Sequence, residues 1–377
     1  MSRTAARAAT FATFAVLVIL FAVSPSRIAA QQGDAVTARG ERVLAYWTES
    51  RMRAASPRDV LLADLPGKDR ARVGAGPESS AGTAPASGSW TAGGAIAARS
   101  GKVFFTLDAT DYVCSASAID DDGDADYSLV MTAAHCVYDE EVDVFATQWI
   151  YVPDWDAAPT YDCATVAHDC WLAQALVIHA GWADEESLTL AAVKHDYAVA
   201  VVGAGVLDSG QLDDLGSYPV RIGPVPVGGA ADIFGYPAAP PFQGDDLTYC
   251  SGTVSLSTSD GWGMTCNMTG GASGGPWLYG STDPADGSGS LASVSSYRIQ
   301  GDPGLYGPEL DGATRAVINA AKSLTPDGTG IDTLIVSGSV STGATYVPLD
   351  PARLLDTRVD KGLEDPFKTG VVQSFQV

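Results

Sequence analysis

Residues 94–323 of this 377-residue chain read as an all-β body, a sandwich or barrel. Three observations point there. From Lys102 onward, short β-type runs such as VFFTLDA, YVCSASAI, SLVMTAAHCV, DYAVAVVGA and GTVSLSTS follow one another, separated by Gly, Pro and Asp clusters. The chain carries 41 Gly and 21 Pro, the supply that many tight turns require. Charged residues are 18% and hydrophobic ones 46%, which excludes a disordered acidic chain and a coiled coil. No internal repeat is visible within 94–323.

The elements follow in order. Residues 1–30 read as a signal peptide: Arg3 and Arg7 give a positive start, and 11–23 is an apolar or small-residue run of 13, short for a bilayer span. Small residues lead on to Ala30, and cleavage fits either after Ser24 or near Ala30. Secretion is the expectation. Residues 31–93 read as a prosegment and linker. Within it Val43, Leu44, Trp47 and Met52 have a loosely helical spacing that ends at Pro57. The stretch 74–94 is rich in Gly, Ala, Ser and Pro and reads as an exposed linker. A helix is predicted over 311–324 (DGATRAVINAAKSL), a Gly/Ser/Thr linker over 324–345, and a further segment over 346–377.

Charge narrows the partners. Lys and Arg number 22 against 45 Asp and Glu, a net of −23, which excludes nucleic acid and disfavours anionic membranes. The acids concentrate in the body: 94–323 holds 7 basic and 31 acidic groups, whereas 31–93 holds 8 basic and 7 acidic. Most of those acids read as solubility charge, with docking of the leader's arginines on the acidic body as a second reading. The alternating acids of IDDDGDAD (Asp120, Asp122, Asp124, Asp126) read as a solvated hairpin tip, because the glycine and a distal glutamate do not fall where a calcium loop needs them.

Six cysteines in an exported chain read as three disulfides. The order Cys114, Cys136, Cys163, Cys170, Cys250, Cys266 permits fifteen pairings, and separations of 22, 7 and 16 make three local bridges the simplest. A zinc site would need a fourth ligand near Cys163, His168 and Cys170. No metal is expected.

Three local sequences carry chemistry. TAAHC at 132–136 ends an apolar strand in small residues and puts His135 at its mouth. HDYAVAVV at 195–202 places Asp196 before an alternating strand. GGASGGPW at 270–277 surrounds Ser273 with glycines, letting a hydroxyl project while backbone N–H groups converge. Together they supply a nucleophile (Ser273), a general base (His135) and an orienting acid (Asp196), with the N–H groups of Gly271 and Ser273 as an oxyanion hole. No cofactor is needed. GASGG alone also matches the nucleophile elbow of α/β-hydrolases, but that fold needs the histidine after the serine, and all four histidines (His135, His168, His179, His195) precede Ser273.

With TAAHC, the DYAV strand and GASGGP in His–Asp–Ser order, 94–323 resembles the chymotrypsin-like secreted serine endopeptidases, especially the bacterial branch that includes glutamyl endopeptidases. The resemblance implies two six-stranded Greek-key β-barrels with the triad in the cleft and a C-terminal helix. It implies a Cys114–Cys136 bridge beside His135 and a Cys250–Cys266 bridge in the second barrel. It places the base of the specificity pocket at Asn267 or Met268 and its wall, which pairs with the substrate backbone, at Ser296, Tyr297 and Arg298. Arg298 is read as facing solvent; reaching the pocket and favouring an acidic side chain is the other reading. No histidine follows Ser273, so glutamate selection through a histidine is excluded. Ala272 replaces the aspartate of chymotrypsin-type activation, which leaves a removable prosegment (a zymogen) as the expected control.

The segment YVPLDPARLLDTR at 346–358 resembles the PxRxLDTR module of secreted actinobacterial proteins and implies cell-surface or cell-wall contact. The resulting expectation is a monomeric secreted serine endopeptidase acting on protein or peptide through an acyl-enzyme. Two alternatives share these residues: an esterase using the same triad, and an inactive protease-fold protein that binds a surface.

Overall fold

The computed structural model describes residues 25–62, 71–73, 87–123, 126–157, 159–184, 189–207, 209–256, 261–281 and 286–339. The apolar run at 11–23 that reads as a signal-peptide core, residues 74–86 of the expected linker and the segment 346–377 lie outside the described residues.

Six antiparallel strands form the first barrel: Ser100–Leu107, Thr110–Ile119, Ser128–Thr132, Thr147–Pro153, Trp171–His179 and Ala198–Val202. Pairing of Thr110–Ile119 with Ser128–Thr132 closes it. The apolar runs here are continuous rather than alternating because both faces of a strand are covered. On Ser100–Leu107, Val103, Phe105 and Leu107 join one buried cluster, while Phe104 joins another with Trp47, Ile150 and Trp155.

That second cluster is completed by the leader. Helices Pro25–Tyr46 and Glu49–Ala54, with Trp47 in the turn between them, lay Val43, Trp47 and Met52 against the barrel, and the Trp47 indole N–H donates to the Gln148 carbonyl at 2.5 Å. The helical spacing seen in the sequence is therefore the leader's docking face.

The second barrel consists of two sheets that share kinked strands. One holds Ala230–Gly235, Thr248–Thr253, Pro276–Tyr279 and Ser290–Val294; the other holds Ser255–Leu256, Gly261–Thr265, Tyr297–Ile299 and Gly304–Pro308. The chain passes between sheets at Val254 and at Ser295–Ser296, so six strands serve two sheets. Helix Gly312–Lys322 then packs on Trp171–His179 and Ala198–Val202 of the first barrel. Asp311 caps it by accepting from the N–H groups of Ala313 and Thr314, with Thr314 bonding back. The two-barrel all-β expectation with a C-terminal helix holds.

All three disulfides join the sequence-local partners: Cys114–Cys136, Cys163–Cys170 and Cys250–Cys266. Elsewhere the structure adds order that the sequence did not announce. Within the stretch expected as linker, Asp332–Val336 forms a strand parallel to Trp171–His179, its β-branched residues giving it strand character between glycines. Within the other linker, Gly88–Ser89 pairs with Thr248–Tyr249 and Trp90 packs edge-on against Phe234 and Tyr249. The acidic hairpin is tied down at Asp122, which accepts from Lys322 at 2.6 Å.

Candidate active site

The site lies where the barrels meet, and the strands explain each placement. Ser128–Thr132 ends in Ala133 and Ala134, and their small side chains let the chain turn so that His135 is buried. Asp196 precedes Ala198–Val202, the antiparallel neighbour of Ser128–Thr132, so the two residues emerge at the same barrel end.

Their pairing is tight. The Nδ1 of His135 lies 2.8 Å from Asp196 Oδ2, and the His135 backbone N–H donates to Asp196 Oδ1 at 2.9 Å. Both residues are completely buried. The Ser296 hydroxyl adds a donor to Asp196 Oδ2 at 2.6 Å. A carboxylate can only accept, so Nδ1 is the donor of this contact and Nε2 is the ring nitrogen left facing away from Asp196. Nε2 is buried and makes no hydrogen bond among the described residues. Trp182 flanks the imidazole, with ring centroids 6.3 Å apart.

Ser273 is presented by a loop braced from both barrels. Ser115 of the first barrel donates its N–H to the Ser273 carbonyl at 2.7 Å and its hydroxyl to the Gly271 carbonyl at 2.8 Å. The same hydroxyl accepts from the Tyr236 N–H at 2.9 Å. Two glycines have to be glycines here. At Gly271 φ is +98° and a Cβ would lie 2.7 Å from the Ala238 nitrogen. At Gly274 φ is +80° and a Cβ would lie 2.0 Å from the Thr132 hydroxyl. The Sγ of Cys136, next to His135, sits 3.9 Å from the Ser273 carbonyl, which brings histidine and serine loops together.

The structure does not join Ser273 to His135 by a hydrogen bond. The leader intervenes. Ser273 Oγ donates to the Arg58 carbonyl at 3.0 Å, and the Gly271 N–H approaches the same oxygen at 3.4 Å. The leader is threaded through the cleft by both walls: Ser56–Pro57 pairs parallel with Tyr112 and Val113, and Val60–Leu62 pairs parallel with Tyr297–Ile299. The Arg58 side chain is buried over Tyr112, with its guanidinium carbon 4.9 Å from the ring centroid, and reaches Asp139 at 3.2 Å. Glu140 stands beside it, 5% exposed, with neither carboxylate oxygen hydrogen-bonded among the described residues. Burial pushes the Glu140 carboxyl up to about 7, against the pull of the Arg58 charge.

The other residues singled out in the sequence are placed as follows. Asn267 accepts from the Ser87 N–H through Oδ1 at 2.8 Å. Met268 is buried in the second-barrel core with Trp262 and Cys266. Ser296 spends its hydroxyl on Asp196, a positioning contact that the sequence reading did not anticipate. Tyr297 stacks on Tyr306 with centroids 5.1 Å apart.

Arg298 corrects an expectation. Read as solvent-facing, it is only 6% exposed, and its guanidinium forms an ion pair with Asp59 of the leader. The base rate for surface arginines failed because the partner comes from 239 residues away.

No family profile and no curated protein matches the chain. Solved structures do. The chain is similar to the protease Anisep from Arthrobacter nicotinovorans: 32% identity, 62% of this chain and 99% of that one covered, TM-score 0.51. A thermostable serine protease, AL20, from an extremophilic microorganism is 31% identical, covering 61% of this chain and all of that one, with TM-score 0.51.

Proposed function

Because the chain belongs to the chymotrypsin-like serine proteases, we propose that it is a secreted serine endopeptidase held inactive by its own leader. The observation that carries the reading is the arrangement of His135 and Asp196 beside the braced Ser273 loop. In the proposed mechanism His135 Nε2 takes the Ser273 proton as Oγ attacks a peptide carbonyl. Asp196 fixes the imidazole tautomer and stabilises the imidazolium. The N–H groups of Gly271 and Ser273 receive the oxyanion, and loss of one such donor typically costs about 3 kcal/mol. The returned proton then leaves with the amine, and water repeats the sequence on the acyl-enzyme.

The leader supports a zymogen. A carbonyl oxygen occupies the hydrogen-bonding partners of the nucleophile, so the Ser273 proton points at the leader rather than at His135. The bound group faces Oγ through its oxygen, whereas acyl transfer needs the carbonyl carbon there. Three disulfides are consistent with an oxidising, extracellular setting.

A fluorophosphonate probe tests the assignment. Wild-type protein freed of the leader takes the label and Ser273→Ala does not, with peptide hydrolysis lost in step. Unchanged hydrolysis by Ser273→Ala would sink the proposal.

A further inference from the structure

We propose that Asp139 and Glu140, with the ring of Tyr112, form a subsite on the leaving-group side of the cleft, and that it takes a cationic side chain, arginine or lysine, from the first two residues after the scissile bond. The inference rests on the endopeptidase reading and names a substrate feature of that same site.

The side of the cleft is the first argument. The leader crosses the nucleophile with Ser56–Pro57 on Tyr112–Val113 and Val60–Leu62 on Tyr297–Ile299, and between them the Arg58 carbonyl sits on Ser273 Oγ. The two walls therefore flank Ser273 on opposite sides. Tyr297–Ile299 is the wall that the resemblance assigns to the acyl half of a substrate, which leaves Tyr112–Val113 to the departing half. His135 agrees with this, because it hands its proton to the departing amine, and Asp139 and Glu140 follow it by four and five residues. The Cys114–Cys136 disulfide ties the Tyr112 strand to the His135 segment, so the two contributors to the subsite are fixed to one another.

The chemistry of the wall is the second argument. It already holds a guanidinium: Arg58 is 2% exposed, lies over the Tyr112 ring and pairs with Asp139 through Nη2. An aromatic face with a carboxylate at its edge suits a flat cation, which favours arginine over lysine. Glu140 is the more telling group. Apart from its own backbone N–H, no donor among the described residues reaches its buried carboxyl. A carboxyl buried short of donors is costly, and a second cationic or hydrogen-bonding contact lowers that cost. Arg58 does not supply it, since its Nε is buried without a hydrogen bond among the described residues. The leader thus fills the subsite without saturating it.

Reach is the third argument. Arg58 enters the subsite from a residue whose own carbonyl lies at Ser273 Oγ, so a long side chain starting one or two residues past the scissile bond spans the same gap. Departure of the leader removes that cation, and a substrate cation restores the pair with Asp139.

The test reads the leaving side alone. Protein freed of its leader is counted with the fluorophosphonate and acylated with one ester substrate. Dipeptide amides are then offered as acceptors, with arginine, its neutral isostere citrulline, or glutamate at the first or the second position. The partition between acyl transfer and hydrolysis ranks them. Arginine is expected to exceed citrulline about tenfold at one of the two positions, the scale of one hydrogen bond to a charged group, with glutamate poorest. In the double variant Asp139→Asn, Glu140→Gln that ratio falls to within about twofold, while fluorophosphonate labelling persists. Asp139→Asn alone, expected at about threefold, serves if the double variant does not fold. A labelled wild type that ranks citrulline with arginine at both positions, or a labelled variant that keeps the wild-type ratio, overturns the subsite and leaves the hydrolase reading standing. A folded, processed wild type that takes no label overturns the hydrolase reading and the subsite with it.

Discussion

Arg58→Ala in the uncleaved protein separates a leader that blocks the site from one that merely lies near it. The substitution removes the ion pair to Asp139 at 3.2 Å and the contact over Tyr112, but keeps the backbone carbonyl that receives the Ser273 proton. Truncating one partner of a buried pair costs about 3 kcal/mol or somewhat more, and the ring contact adds about 1 kcal/mol. Two features reduce the sum. Asp139 is partly solvated at 19% side-chain exposure, and Glu140, already pushed up to about 7 by burial, holds its proton more firmly once the cation has gone. A loss of about 3 kcal/mol in leader docking is the resulting expectation, or about 100-fold in the open fraction at 1.4 kcal/mol per decade. The assay is the rate of fluorophosphonate labelling of full-length protein, with intact mass showing that the leader remains attached. While the closed form dominates, that rate follows the open fraction and rises about 100-fold. A rate within twofold of wild type, with the leader still covalently present, refutes the blockade.

Three further outcomes are expected. Ser115→Ala leaves the buried Gly271 carbonyl and Tyr236 N–H without their shared hydroxyl. It should cost about 2–4 kcal/mol by denaturant unfolding and slow labelling of Ser273; stability within 0.5 kcal/mol of wild type, an explicit tolerance of about experimental error, would remove Ser115 as the brace. Lys102 is 2% exposed among Phe104, Trp155 and Tyr161, and burial lowers it to about 7. Its folded pKa is depressed, so stability rises with pH from about 7 to its unfolded value near 10.5, by up to about 5 kcal/mol. Lys102→Met flattens that slope and is about 1 kcal/mol more stable at pH 7, after discounting the lost bond to the Gly244 carbonyl. An unchanged slope in the variant counts against it. Asp213 behaves oppositely: burial, then the neighbouring Asp121, raise it to about 7, so stability falls as pH climbs from about 4 to 7 and is level above. Asp213→Asn lessens that fall and gains about 1 kcal/mol above pH 7, with Glu140 supplying the slope that remains; a steeper fall in urea titrations would contradict this.

What the sequence made legible was local. The three disulfides close separations of 22, 7 and 16, and the helix at Gly312–Lys322 is announced by Asp311 and its capping partner Thr314 three residues on. His135, Asp196 and Ser273 each sit in a short motif whose small residues or glycines serve backbone geometry. The strand Asp332–Val336 was hidden because its five residues lie among glycines and serines, and its partner strand ends more than 150 residues earlier, counting from Asp332 back to His179.

The leader's role was illegible for a sharper physical reason. SPRDVLL at 56–62 carries a proline, two opposite charges and too few apolar residues to declare a strand, and its meaning lies in groups far along the chain. Arg58 meets Ser273 across 215 positions and Asp59 meets Arg298 across 239. Read singly, each charged residue belongs on the surface. Buried together, they occupy a cationic position and an acidic one on either side of the nucleophile, with Arg58 against Asp139 and Asp59 against Arg298. A segment that had only to cover the cleft would gain more from apolar residues, since burying charges costs desolvation that their pairing at best roughly offsets. Charges in both places therefore match a cleft whose walls carry Asp139 on one side and Arg298 on the other, each met by a leader residue of opposite charge.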